Sequence, residues 1–143
     1  MNILILQGPN LNLLGLKSSK KGFKLTLDKL NKSLRIYVRD KELTLKFLQT
    51  HKQYKALNFL QRNRNWADGL LFIPTSWARN EWTIKETLEL ISLPTVFVYF
   101  NKPYNYGTQI DNSIFKLNNC KSFSGDPIET CILALEHLIL FKK

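Results

Sequence analysis

Cysteine, histidine and long apolar runs are scarce in this chain, and each scarcity excludes a class of protein. Among 143 residues there are two cysteines, Cys120 and Cys131, and two histidines, His51 and His137. Two cysteines cannot build a disulfide framework, and their apolar surroundings predict buried thiols. No cluster of histidine, cysteine or carboxylate residues has metal-ligand spacing, so we expect neither a metal nor a cofactor.

The apolar runs are too short for a membrane protein. The longest, residues 96–100 with its flanks, is far below the length that spans a bilayer. The first apolar run lacks the length and the basic flank of a signal peptide, so we expect a cytoplasmic location or the interior of an organelle. A hydrophobic share of 44% predicts one globular domain over residues 1–143.

Acidic residues are also few, and the resulting charge is uneven. The chain has 21 Lys and Arg against 11 Asp and Glu, a formal net charge of +10. Residues 17–55 hold 12 basic and three acidic residues, a net of +9. Such a segment attracts phosphate, nucleic acid or a small acid. A solvated basic face, or nucleotide bias in the genome, explains the same composition.

Strand and helix patterns alternate along the chain. The predicted strands cover residues 3–6, 43–49, 69–73, 95–100 and 121–123. Thr26, Asn80 and Asp126 are predicted helix N-caps, and another helix is predicted over about residues 52–64. This order predicts an α/β fold: a flavodoxin-like, doubly wound, five-stranded parallel sheet in three α/β/α layers.

The first strand runs directly into Gly-Pro-Asn-Leu-Asn-Leu-Leu-Gly, residues 8–15. A polar turn at the carboxyl end of a first strand is where open α/β sheets bind ligands. The run resembles the opening of the type II 3-dehydroquinate dehydratases (3-dehydroquinases). Weaker matches follow in the family's order at residues 22–27, 47–50, 68–74, 93–98 and 134–135.

This resemblance implies a flavodoxin-like fold and assembly as a homo-oligomer, a trimer or dodecamer. It also implies the family's reaction, which removes water from 3-dehydroquinate through an enolate, in the shikimate pathway. Proton abstraction beside a carbonyl requires a base, a donor for the developing oxyanion and an acid.

Few of the family's catalytic residues are present. Asn10 stands at the position of the family's water-ordering Asn. Lys17 replaces the loop Arg and Gly22 replaces the base Tyr. Lysine keeps the charge of arginine but not its planar fork. Residues 104–110, where the family is rich in arginine, contain none.

The remaining positions also differ. Ile73 replaces a substrate-binding Asn, and Arg79 replaces a His. Phe97 replaces the Glu that partners the acid, Tyr99 replaces the catalytic His, and Asn101 replaces a Ser. The candidate catalytic residues are therefore Asn10, Lys17 and Tyr99. The candidate substrate-binding residues are Ser76, Arg79 and Asn101.

Three functions remain open from the sequence. The first is a relative that has lost dehydratase activity and retains the scaffold for binding or assembly. The second is a divergent active dehydratase, with an anion site formed by Arg79 and Lys17. The third is a nucleic-acid or ribonucleoprotein binding module, which uses the basic segment and the interleaved Phe23, Tyr37 and Tyr54. The spacing of those aromatic residues also suits core positions.

Two tryptophans, Trp77 and Trp82, follow the third strand and are predicted to be exposed. Tryptophan is favoured in the cores of protein interfaces. We therefore predict that this region packs against another subunit or a partner, and the alternative is that both side chains fill a degenerate pocket.

Overall fold

Five parallel strands form the centre of the computed structural model, which describes residues 1–142. The strands are β1 (Asn2–Gln7), β2 (Thr44–Gln49), β3 (Gly69–Ile73), β4 (Thr95–Phe100) and β5 (Cys120–Gly125). The helices are α1 (Leu27–Val38), α2 (Gln53–Asn63), α3 (Trp82–Ile91) and α4 (Pro127–Lys142). The strand order is β2-β1-β3-β4-β5, and every neighbouring pair is parallel. The predicted flavodoxin-like α/β fold is confirmed.

The strand β1 is paired on both sides. Its Ile5 lies opposite Phe47 of β2 and Leu71 of β3. The chain first winds outward from β1 to β2 and then returns to build β3, β4 and β5 on the other side. This reversal opens a crevice at the carboxyl ends of β1 and β3, the usual ligand position in such sheets.

Helices cover both faces of the sheet. On one face, Ile3, Ile5 and Leu71 pack with buried residues of α1 and α4. On the other face, Leu4, Leu6 and Phe72 pack with buried residues of α2 and α3. A parallel sheet covered on both faces requires apolar residues at nearly every position, which explains the continuous apolar runs in the sequence.

The helix starts follow two of the three predicted caps. Thr26 Oγ1 accepts a hydrogen bond from the Lys29 amide at 3.3 Å, and α4 begins at Pro127, directly after Asp126. The prediction for Asn80 is wrong, because Glu81 occupies the N-cap of α3 without a side-chain cap. The preceding 3₁₀ turn, Thr75–Ala78, continues into the helix through a bond from the Glu81 amide to Trp77 O.

Three further expectations about burial are corrected. Tyr54 on α2 and Phe23 before α1 are 56% and 48% exposed, so neither is a core residue. In α2 the inward positions belong to Ala56 and Leu60. Cys131 is buried as expected, whereas Cys120 is only half-buried. In residues 1–142, no helix is long and apolar enough to cross a membrane.

Candidate functional site

Loops that follow β1 and β3 flank the crevice and are joined across it. The Gly8 amide donates to Ile73 O at 2.8 Å. Thr75 Oγ1 donates to Pro9 O, also at 2.8 Å. These bonds draw the loop after β3 against the loop after β1, so the entrance between the two strands is narrow.

A third segment, residues 103–109 after β4, passes over this junction; we call it the crossing segment. The Tyr106 hydroxyl donates to Asn10 O at 2.8 Å, and the Thr108 amide approaches Thr75 O at 3.4 Å. Between them, Gly107 has φ +76° and lies directly against the backbone of Thr75 and Ser76. The crossing segment therefore touches both loops and closes the crevice from above.

An aromatic cluster fills part of the sheet face that α2 and α3 cover. It consists of Phe72, Trp77, Phe97 and Phe115. Phe97 and Phe115 stack with centroids 5.1 Å apart and planes 4° apart, and Phe72 lies 5.3 Å from Phe115. Trp77 meets Phe72 edge-on at 6.4 Å and is only 7% exposed. The prediction that Trp77 is exposed is therefore wrong, whereas Trp82 is 60% exposed.

Tyr99 lies beside this aromatic cluster and is buried. Its hydroxyl donates to Ser113 Oγ at 2.6 Å, and Ser113 Oγ also accepts a hydrogen bond from the Phe115 backbone amide at 3.0 Å. Burial raises the pKa of the Tyr99 phenol, and the bond to Ser113 offsets only part of that rise. The phenol is therefore held neutral and directed into the protein.

The predicted site residues fall into separate places. Asn10 and Lys17 line one cavity of about 370 Å³. Ser76 and Arg79 line a different hollow of about 740 Å³, on the far side of Gly107. Asn101 is exposed, and its backbone amide donates a hydrogen bond to Gly125 O at 3.0 Å. The crossing segment thus separates Lys17 from Arg79, which line different hollows.

The 370 Å³ cavity contains residues that sequence reasoning missed. Besides Asn10 and Lys17, its wall includes Leu13, Leu16, Lys20, Tyr104 and Tyr106. Burial raises the pKa of the Tyr106 phenol far above its usual range. The available signal was the Tyr-Asn-Tyr-Gly run at residues 104–107, where a glycine follows two aromatic residues inside a polar stretch.

The basic segment is displayed rather than neutralised. Lys41 and Asp40 form an ion pair at 3.3 Å on the surface. Aromatic contacts hold some other cations, with Arg35 over Phe47 and Lys46 over Trp66. In the part of the chain that the structure describes, no three His, Cys, Asp or Glu residues are grouped as metal ligands.

Fold and site together define a doubly wound α/β protein whose ligand crevice is covered by the segment after β4. The family model for dehydroquinase class II matches residues 1–139, and the chain belongs to that family. A 3-dehydroquinate dehydratase from Dictyoglomus turgidum is 23% identical over 141 residues, covering 99% of this chain and 97% of the relative. One from Geotalea daltonii is 30% identical over 105 residues, 73% of each chain.

Solved structures show the same fold. The type II dehydroquinase from Butyrivibrio crossotus has a TM-score of 0.83 at 20% identity, with 97% of both chains covered. A 3-dehydroquinate dehydratase-like protein from Bifidobacterium longum has a TM-score of 0.72 at 15% identity. It covers all of this chain, and 98% of its own length is matched.

Replacement of Gly107 by alanine tests the closure. A Cβ there would lie 2.8 Å from Ser76 N and from Thr75 C, whereas Gly22, with φ +87°, has no atom within 4 Å of its Cβ position. We expect Gly22→Ala to cost about 1–2 kcal/mol for the left-handed backbone alone. Gly107→Ala should cost more in urea unfolding and should speed amide exchange at Thr108. Equal costs with unchanged exchange would contradict the described packing.

The buried phenol of Tyr99 predicts a pH effect. Its folded pKa is raised, so below the unfolded value of about 10 both states are protonated and the phenol adds no pH dependence. Above pH 10 the unfolded chain ionises first and the free energy of unfolding falls. Tyr99→Phe should make this alkaline fall shallower, by at most about 1.4 kcal/mol per pH unit.

Ser113→Ala is the control for that measurement, because it removes the same hydrogen bond and keeps the phenol. It should lose more stability at neutral pH than Tyr99→Phe, because it leaves both the Tyr99 hydroxyl and the Phe115 amide without their acceptor, yet it should retain the alkaline fall. Denaturant unfolding between pH 7 and 11 makes the comparison. Identical alkaline slopes in wild type and Tyr99→Phe would show that the phenol titrates as if exposed.

Proposed function

We propose that this protein is a type II dehydroquinase-like scaffold that has lost dehydratase chemistry and acts by binding or assembly. One observation carries the proposal: the crevice between β1 and β3 is closed by the chain itself. Tyr106 is bonded to Asn10, and Gly107 lies on the loop after β3. The β4 side chains at this end of the sheet, Phe97 and Tyr99, are at most 3% exposed.

The groups available for proton transfer have the wrong properties. A base tyrosine needs a lowered pKa, whereas burial raises the pKa of both Tyr99 and Tyr106. Gly22 at the family's base position offers no side chain and lies in open space. Phe97, at the position of the Glu that partners the acid, is stacked on Phe115. Loss of one general base alone costs about 10²–10⁴ in rate.

A divergent active dehydratase is the second candidate. In its favour, Asn10 and Lys17 line one cavity, so a water-ordering amide and a cation lie together. Against it, Arg79 lines a different hollow, so the proposed anion site of Lys17 and Arg79 is divided by the crossing segment. The first proposal therefore explains more of the geometry.

Turnover of 3-dehydroquinate separates these two candidates. We expect the purified protein at high concentration to form no enone product above background in an ultraviolet assay, because base and acid are both missing. Asn10→Ala and Lys17→Ala are the matched variants, and neither should alter that background. A rate typical of the family, lowered by either substitution, would overturn the proposal.

Assembly with further copies of the chain is part of the proposal. Family resemblance favours a trimer or dodecamer, and Trp82 on α3 is 60% exposed with Lys85 Nζ 5.2 Å from its ring centroid. Large exposed aromatic side chains favour interface positions. A monomer by light scattering would remove this version of the proposal and leave ligand binding.

Binding of single-stranded nucleic acid is the third candidate, and the exposure of Phe23 and Tyr54 within the basic segment favours it. Cations beside exposed rings suit stacked bases. We expect such binding, if it is the function, to weaken about 10³-fold or more between 50 and 200 mM salt when six or more phosphates are contacted. Binding of an oligonucleotide that does not change with salt would exclude it.

A further inference from the structure

We propose that the cavity between residues 10–20 and the crossing segment binds an amphipathic organic acid, an apolar ring system of one or two rings that carries an anionic group. This inference rests on the proposed function, since it names what the scaffold binds in place of a hydroxylated substrate. At about 370 Å³ the cavity lies at the small end of the range for ligand pockets.

The walls of the cavity supply apolar contact. Leu13 and Leu16 are 50% and 64% exposed, and they lie together in the wall of the same cavity. Opposite them stand Tyr104 and Tyr106 of the crossing segment. Tyr104 is supported by Phe23, edge-on at 6.3 Å, and Tyr106 is held by its bond to Asn10 O. A ring inserted between the leucines and the tyrosines would cover apolar surface now exposed to water.

The charge of the cavity has one sign. Lys17 and Lys20 line it, and no Asp or Glu does. Lys17 immediately precedes the 3₁₀ turn Ser18–Lys21, in which residues three apart project from the same side. Within residues 1–142 neither lysine forms an ion pair. An anionic group at the mouth of the cavity would therefore meet two cations without displacing an internal partner.

The cavity offers few hydrogen-bond donors to hydroxyl groups on a ligand. The Tyr106 hydroxyl donates to Asn10 O, and Ser18 Oγ donates to Phe23 O at 2.8 Å, so neither hydroxyl can donate to a ligand. The Asn10 side chain and the two lysines are the donors left for a hydroxylated ring. Burial of a hydroxyl without a new hydrogen bond is unfavourable. The cavity therefore disfavours the polyhydroxylated ring of a quinate-like acid and favours an apolar ring with the same single charge.

Calorimetric titration of the full chain with three probes tests this ligand class. Naphthalene-2-sulfonate has the apolar body and the charge, naphthalene-2-sulfonamide has the body without the charge, and quinate has the charge on a hydroxylated ring. We expect the sulfonate to bind at least about tenfold more tightly than either of the others. The sulfonamide lacks the charge that the lysines would bind, and quinate would bury hydroxyl groups without enough donors.

Two pairs of variants place the binding in this cavity. Lys17→Gln with Lys20→Gln should weaken the sulfonate about tenfold or more, whereas Lys21→Gln with Lys24→Gln removes equal charge from the same region and should change it less than about twofold at physiological salt. Leu16→Ser should weaken both naphthalene probes. Leu140→Ser, at an equally exposed leucine on α4, should leave both unchanged.

The outcomes separate this inference from the proposed function. Tighter binding of quinate, equal binding of the sulfonamide, or equal effects of the two lysine pairs would each overturn the ligand class. Absence of any sulfonate binding would overturn it too. None of these binding results bears on the proposed loss of dehydratase activity. Only measurable turnover of 3-dehydroquinate would overturn that proposal.

Discussion

Burial of a parallel sheet on both faces is the constraint on which the rest of this structure depends. All six residues of β4 are buried, so any polar side chain there needs an internal partner or an open crevice that supplies solvent. Phe97 and Tyr99 satisfy the constraint without a crevice, since one stacks on Phe115 and the other bonds to Ser113. The side chains of β4 therefore need no solvent-filled crevice at this end of the sheet, which fits the contacts that the crossing segment makes with the two loops.

The turn after β1 takes part in the closure. Asn10 in that turn has a left-handed backbone, φ 68°, and its carbonyl accepts a hydrogen bond from the Tyr106 hydroxyl. In the proposed scaffold the turn serves as the anchor of the crossing segment. Lys17 and Lys20, at the next 3₁₀ turn of the chain, lie outside the closed region and are available to an anion.

The sequence predicted the sheet better than the site. The bounds of β3 and β4 match residue for residue, because continuous apolar runs end where Pro74 and Asn101 interrupt them. The predicted N-cap at Asn80 was wrong because a 3₁₀ turn continues into α3, so that Glu81 occupies the N-cap position. The predicted exposure of Trp77 was wrong because its burial depends on contact with Phe72, which lies on β3. The bond from Tyr106 to Asn10 joins residues 96 positions apart, and no local pattern encodes such a contact.

Active sites keep polar groups poised for a substrate and lose stability as a result. Here polar groups around the crevice are hydrogen-bonded to one another: Tyr99 to Ser113, Thr75 to Pro9 and Tyr106 to Asn10. Among the described residues, no buried side-chain nitrogen or oxygen lacks a partner. In the proposed scaffold, recognition therefore comes from groups that the fold leaves free. Lys17, Lys20 and the two exposed leucines beside them are those groups, which is why the ligand argued above combines one charge with an apolar body.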